Sequence, residues 1–194
     1  MISNTAPSSY NFEEMYTDMG IKIESMGCIM LDVNIPESFH PEDVGKDIFY
    51  SSPTLKWVTG RQDEGHVTLK YGLMPGTTKE QVDLVLSGWE APPEVHISTI
   101  KVFPSPIEDE DYSCIVGALY LNDNPKILES HRLLSFLPHV DTYMEYTPHV
   151  TLAYVRPKYL SRMVEWYLSK ASRTSLRTVD LNYGWEIASN TRRY

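Results

Sequence analysis

Apolar positions along this chain fall into short alternating runs and a few helical stripes, in mixed order. Gly27–Val33 (Gly-Cys-Ile-Met-Leu-Asp-Val) reads as a buried strand. Val67–Leu73 reads as a second strand, closed by Met74-Pro75-Gly76. Thr77–Glu80 starts a helix whose apolar face is Val82, Val85, Leu86 and Trp89, and Pro92-Pro93 ends it. Glu94–Phe103 and Tyr112–Leu121 alternate as strands. Pro125–Leu137 and Lys158–Ala171 carry helical stripes: Ile127, Leu128 and Leu134 in the first, Leu160, Met163, Val164 and Leu168 in the second. Thr174–Ile187 closes the pattern as one or two strands, with Tyr183-Gly184 as a bend. The irregular stretch Pro36–Gly60 is long for a loop and predicts a short helix near Pro41–Asp47. This mixed order predicts an α+β protein with two sheets facing a central cleft. Residues 1–24 read as an arm and 25–194 as one bilobal domain. Its lobes cover about 25–104 and 112–187, and the acidic, proline-containing Pro104–Asp111 joins them.

Within that pattern one phrase occurs twice. Residues 66–71 are His-Val-Thr-Leu-Lys-Tyr and residues 149–154 are His-Val-Thr-Leu-Ala-Tyr, using two of the chain's six histidines. On a strand, side chains alternate between faces. His66 and Thr68 therefore oppose Val67 and Leu69, and His149 and Thr151 oppose Val150 and Leu152. The same parity puts Lys70 and Ala153 with the histidines, and Tyr71 and Tyr154 with the core. Two such strands side by side give two imidazoles and two hydroxyls in one cleft. Histidine titrates near neutrality, so the pair can supply both a base and an acid. The threonine hydroxyls can donate to the non-bridging oxygens of a phosphodiester as charge develops there. His66, Thr68, His149 and Thr151 are the candidate catalytic residues, and Lys70 is a candidate phosphate ligand. No metal or cofactor is expected, because the chain lacks His-Glu-x-x-His, Cys-x-x-Cys and a glycine-rich phosphate loop.

Bulk composition narrows the ligand. The chain has 194 residues, 42% apolar and 22% charged, and a formal net charge of −9. Long nucleic acid is usually gripped by a basic stripe, which is missing here; the acidic balance argues against a long duplex or RNA and leaves room for a small nucleotide in a local pocket. No apolar run approaches the ~20 residues of a membrane span. The polar N-terminus, carrying Glu13 and Glu14, does not read as a secretion signal. Cys28 and Cys114 lie in apolar runs and read as buried free thiols in a reducing cytoplasm. His40, His96, His131 and His139 read as surface or capping residues. Aromatics outside the repeated strands are candidates for stacking on a base: Tyr10, Phe12, Tyr16, Trp57, Tyr143, Tyr146 and Trp185. Glu186 is a candidate acceptor for a base edge. Of these, Tyr16, Trp57, Tyr146, Trp185 and Glu186 join Lys70 as the expected substrate-binding set.

The two His-x-Thr-hydrophobic phrases, 83 residues apart, resemble the motif of the two-histidine (2H) phosphoesterases. That superfamily includes LigT-like RNA 2′,3′-cyclic phosphodiesterases and phage enzymes that destroy cyclic-oligonucleotide immune signals. The resemblance implies a bilobal fold around a central cleft, and metal-independent phosphodiester chemistry by His66, Thr68, His149 and Thr151. It implies as substrate a cyclic oligonucleotide or a 2′,3′-cyclic phosphate. A LigT-type RNA-end enzyme and a non-catalytic nucleotide sponge are the alternatives. The segments 1–24 and 36–60 lie outside a minimal 2H core.

Overall fold

The computed structural model describes residues 26–42, 45, 47–105, 110–141, 145–171 and 174–184. The strands are β1 (Gly27–Asn34), β2 (Glu64–Leu73), β3 (Glu94–His96), β4 (Thr99–Pro104), β5 (Ser113–Ala118), β6 (His149–Val155) and β7 (Ser175–Tyr183). The helices are α1 (Lys79–Val85), α2 (Pro125–Leu134) and α3 (Leu160–Ala171). Thr78 caps α1 through a reciprocal box with Gln81, which satisfies donors that the first helical turn leaves free. A 3-10 turn at Glu37–Phe39 is the helical element found in the 36–60 stretch, and part of the expected helix at 41–47 lies outside the described residues. Among the described residues no helix is long and apolar enough to cross a membrane.

The architecture is α+β, with two antiparallel sheets ordered β2-β1-β7-β3 and β4-β5-β6. α2 packs on β2, and α3 on β4 and β5. The run 94–103, expected as one strand, is two. Ile97 N–H donates to Thr174 O and Ser98 N–H to Ala118 O, so the chain changes sheets between them. β4 thus pairs with β5, and β7 returns to lie beside β1. The sheets are therefore interleaved in sequence rather than drawn from consecutive halves.

The sheets meet at β2 and β6. Gln62 N–H donates to Leu152 O and Tyr154 N–H to Gly60 O, so the approach to β2 runs antiparallel along β6 before β2 turns to pair with β1. Gly65 permits the crossing: a Cβ there would stand 2.7 Å from Val150 Cγ1 and 3.1 Å from Ile35 Cδ1. A continuous core containing Leu31, Val67, Leu69, Ile115, Val150 and Leu152 lies under both sheets.

The repeated phrases share a structural irregularity as well as a sequence. In β2, Thr68 opposes Met30 and Lys70 opposes Ile29, so Leu69 is an extra residue. In β6, Thr151 opposes Val116 and Ala153 opposes Ile115, so Leu152 is extra. Each is a β-bulge, which lets two neighbouring residues fall on one side of the sheet. Lys70 and Ala153 consequently face the core beside Leu69 and Leu152, and all four are buried. Tyr71 and Tyr154 come round to the face of the histidines. This reverses the strict-alternation expectation for both pairs. Beyond the bulges the register stays equivalent: Tyr71 opposes Cys28, and Tyr154 opposes Cys114. The partner strands repeat too, as Cys28-Ile29 and Cys114-Ile115. The two strand pairs are equivalent in register and in sequence at these positions.

Candidate active site

Residues directly opposed on antiparallel strands project to the same side. On sheet one the rows are Asp32–His66, Met30–Thr68 and Cys28–Tyr71. On sheet two they are Thr99–Ala118–His149, Lys101–Val116–Thr151 and Phe103–Cys114–Tyr154. Phe103 and His149 belong to different rows, yet their rings meet edge to face with centroids 5.1 Å apart. The sheet is therefore curled with this face inside. His66, Thr68, His149 and Thr151 are all half-buried, between the sealed core and open solvent.

The imidazoles stand close enough to sense each other. Burial lowers the pKa of His66, and the charge of His149 lowers it further. Burial also lowers His149, as does the nearby Lys101, while the carbonyl of Thr147 opposes them. That carbonyl accepts a hydrogen bond from His149 Nδ1 (2.9 Å), which fixes the tautomer and leaves Nε2 for chemistry. Cys114 Sγ sits 3.9 Å from Thr151 Oγ1 and donates to it. Burial pushes the Cys114 thiol up to about 11, so it stays protonated and the Thr151 hydroxyl remains available as a donor.

The other expected ligands are distributed differently. Lys70 is 3% exposed and faces away from the histidines; its ammonium donates to Asp141 Oδ1 (2.9 Å) and Ser135 Oγ (3.2 Å). The bulge at Leu69 turns it there. Tyr146 donates its hydroxyl to Thr68 O (2.8 Å), and its ring stacks on His131 at 3.7 Å. His131 Nδ1 in turn donates to Leu69 O (2.7 Å). The two side chains thus satisfy carbonyls at the β2 bulge, a more specific role for His131 than the surface or capping one expected. Its counterpart in β6, Leu152 O, is satisfied by Gln62 N–H. His40 is buried, with Nδ1 3.0 Å from the Tyr167 hydroxyl. Trp57 stands 40% exposed on the turn between Ser52 and Val58, apart from the rows that hold the histidines. Tyr10, Phe12, Tyr16, Tyr143, Trp185 and Glu186 lie outside the described residues.

Sequence reading missed Lys101 and Phe103, although both stand at alternate positions of a run it recognised as a strand. It also missed the site-face placement of Tyr71 and Tyr154, for which the second Cys-Ile pair was the available signal. Tyr154 meets Tyr112 edge to face at 5.6 Å, and Tyr112 stacks on Tyr50 at 5.1 Å, so an aromatic cluster flanks the sheet-two side. Among the described residues no group of three or more His, Cys, Asp or Glu side chains is placed to hold a metal ion.

No family model and no curated protein matches the chain. Among solved structures it is similar to Usb1 of Kluyveromyces marxianus, at 11% identity and a TM-score of 0.48, over 83% of this chain and 94% of that one. The structure of that Usb1 with uridine monophosphate aligns at 10% identity and a TM-score of 0.45, over 83% and 98% of the two chains.

Proposed function

We propose that this chain is a 2H phosphoesterase. In this reading it hydrolyses a small nucleotide phosphodiester without a metal, with His66 and His149 as base and acid. One observation carries the reading: each histidine shares a face of its bulged strand with its threonine, in equivalent register on β2 and β6, and the charge of His149 acts on His66. Two independently evolved packing histidines have no need of that equivalence.

A 3′–5′ linkage is cleaved in two steps. His66 takes the proton of the ribose 2′-hydroxyl, and the resulting oxyanion attacks phosphorus. The bond from phosphorus to the 5′ oxygen breaks, and His149 Nε2 protonates that oxygen as it leaves. Thr68 and Thr151 donate to the non-bridging oxygens. The product 2′,3′-cyclic phosphate is then opened by water with the histidine roles exchanged. The acid role is given to His149 because the Thr147 carbonyl holds its Nδ1–H and leaves Nε2 to face the departing oxygen. Each proton-transfer role contributes typically ~10²–10⁴-fold.

The substrate proposed is a cyclic oligonucleotide of the immune-signal type, or a 2′,3′-cyclic phosphate. The aromatic cluster beside the site and the sparse cations in its rows suit a compact nucleotide better than a long RNA end. Incubating the protein in EDTA with cyclic dinucleotides, cyclic trinucleotides and 2′,3′-cyclic mononucleotides, read by chromatography, tests the assignment. Turnover by the wild type that His66→Ala abolishes supports it. Binding without turnover by the wild type would establish the sponge instead, and turnover lost in EDTA would overturn the metal-free chemistry.

A further inference from the structure

The two strand pairs are equivalent, but the strands beside them are not. In sheet two the row through Thr151 continues to Lys101 on β4, and the row through Tyr154 continues to Phe103. In sheet one the row through Thr68 continues to Asn182 on β7, and the chain reaches Gly184 one step beyond Tyr183, the partner of Ile29. One flank of the cleft thus carries an ammonium and a ring where the other carries an amide and a glycine. Lys101 is exposed, and no acidic partner holds it among the described residues. Lys70, the lysine expected at the site, is committed to Asp141. In these rows Lys101 is the one cation among the described residues, on a chain whose net charge of −9 repels a polyanion.

Position also separates Lys101 from the scissile phosphate. The phosphorus must sit between the two histidines, where β2 and β6 converge. β4 stands two strands out from β6, roughly 10 Å at the usual strand spacing, with Val116 between. Phe103 fills part of that interval by bracing the His149 ring.

We infer that Lys101 binds a second phosphate of the substrate, on the His149 side of the cleft, and so makes the enzyme selective for nucleotides with two or more phosphates. This rests on the phosphodiesterase reading above and specifies its substrate. The consistent electrostatic sign is that Lys101 acts on His149, the histidine of its own sheet.

The test compares a cyclic dinucleotide with the linear dinucleoside monophosphate, which shares the 3′–5′ linkage but lacks the second phosphate. Lys101→Ala and Lys101→Arg are measured against wild type in 50 mM salt. Because Lys101 is exposed on its strand, neither change should disturb folding. The expected result is a loss of roughly 10-fold or more in kcat/KM for Lys101→Ala on the cyclic substrate, carried by KM. The loss on the linear one should be under about twofold, and arginine should restore most of it. The salt dependence of kcat/KM on the cyclic substrate should be weaker for Lys101→Ala than for wild type, because one screened charge pair is gone. Equal losses on both substrates would assign Lys101 to the scissile phosphate and overturn the inference, as would no loss on either. Wild-type turnover confined to 2′,3′-cyclic mononucleotides would also overturn it, while leaving the phosphodiesterase reading intact. Turnover of no nucleotide at all would remove both.

Discussion

Single residues in this protein do separable jobs that their types alone do not announce. Lys70 and Lys101 differ most plainly: one is sealed at 3% exposure against Asp141, the other stands open two strands from Thr151. Replacing Lys70 with methionine keeps its stem packed and removes the buried charge. Turnover of whichever nucleotide the wild type accepts should then stay within about threefold, because the ammonium does not face the site. Gly65 makes a different demand. A methyl group there must push Val150 and Ile35 aside, directly beside His66. Gly65→Ala should cost about 1–3 kcal/mol by urea unfolding, the usual range for overpacking. A cost near zero would mean that β2 and β6 cross less closely than the structure has them.

At the scale of elements, the bulges decide which residues share a face. The repeated phrase was legible as two strands bearing His and Thr, because the alternation before each leucine is regular. It was misleading after the leucine, since a bulge is set by tertiary partners that the strand itself does not encode. For β2 these are His131 and Tyr146, which lie far along the chain and close up only in the fold. The break at Ile97-Ser98 was hidden for a similar reason: the alternation runs through it, and only the hydrogen-bond partners change. Thr68 hangs on this arrangement. His131→Ala strands the Leu69 carbonyl and should destabilise the protein by about 1–3 kcal/mol in chemical denaturation. It should also lower kcat on accepted nucleotides, because Thr68 precedes the freed bulge. An unchanged unfolding midpoint would show that the bulge needs no such support.

For the whole molecule, burial lowers four histidines together: His40, His66, His131 and His149. Each favours the neutral ring in the folded state, so between its folded pKa and 6.5 the unfolded chain binds more protons than the native one. Stability is therefore full above about pH 6.5 and should fall as pH drops through the folded values. Melting temperature measured from pH 8 to pH 5 should be flat and then decline. In the proposed function, catalysis depends on two of the same groups, His66 and His149. That mechanism requires one imidazole neutral and the other protonated, on one phosphorus, with each supplied by a different sheet. The pH dependence of kcat/KM in EDTA, for wild type, His66→Ala and His149→Ala, tests that requirement most directly. The wild-type profile should be a bell centred below pH 6.5, with His66→Ala losing its acidic limb and His149→Ala its alkaline limb, each at a rate lower by ~10²–10⁴-fold. A variant that keeps both limbs at the wild-type rate would rule out the two-histidine mechanism.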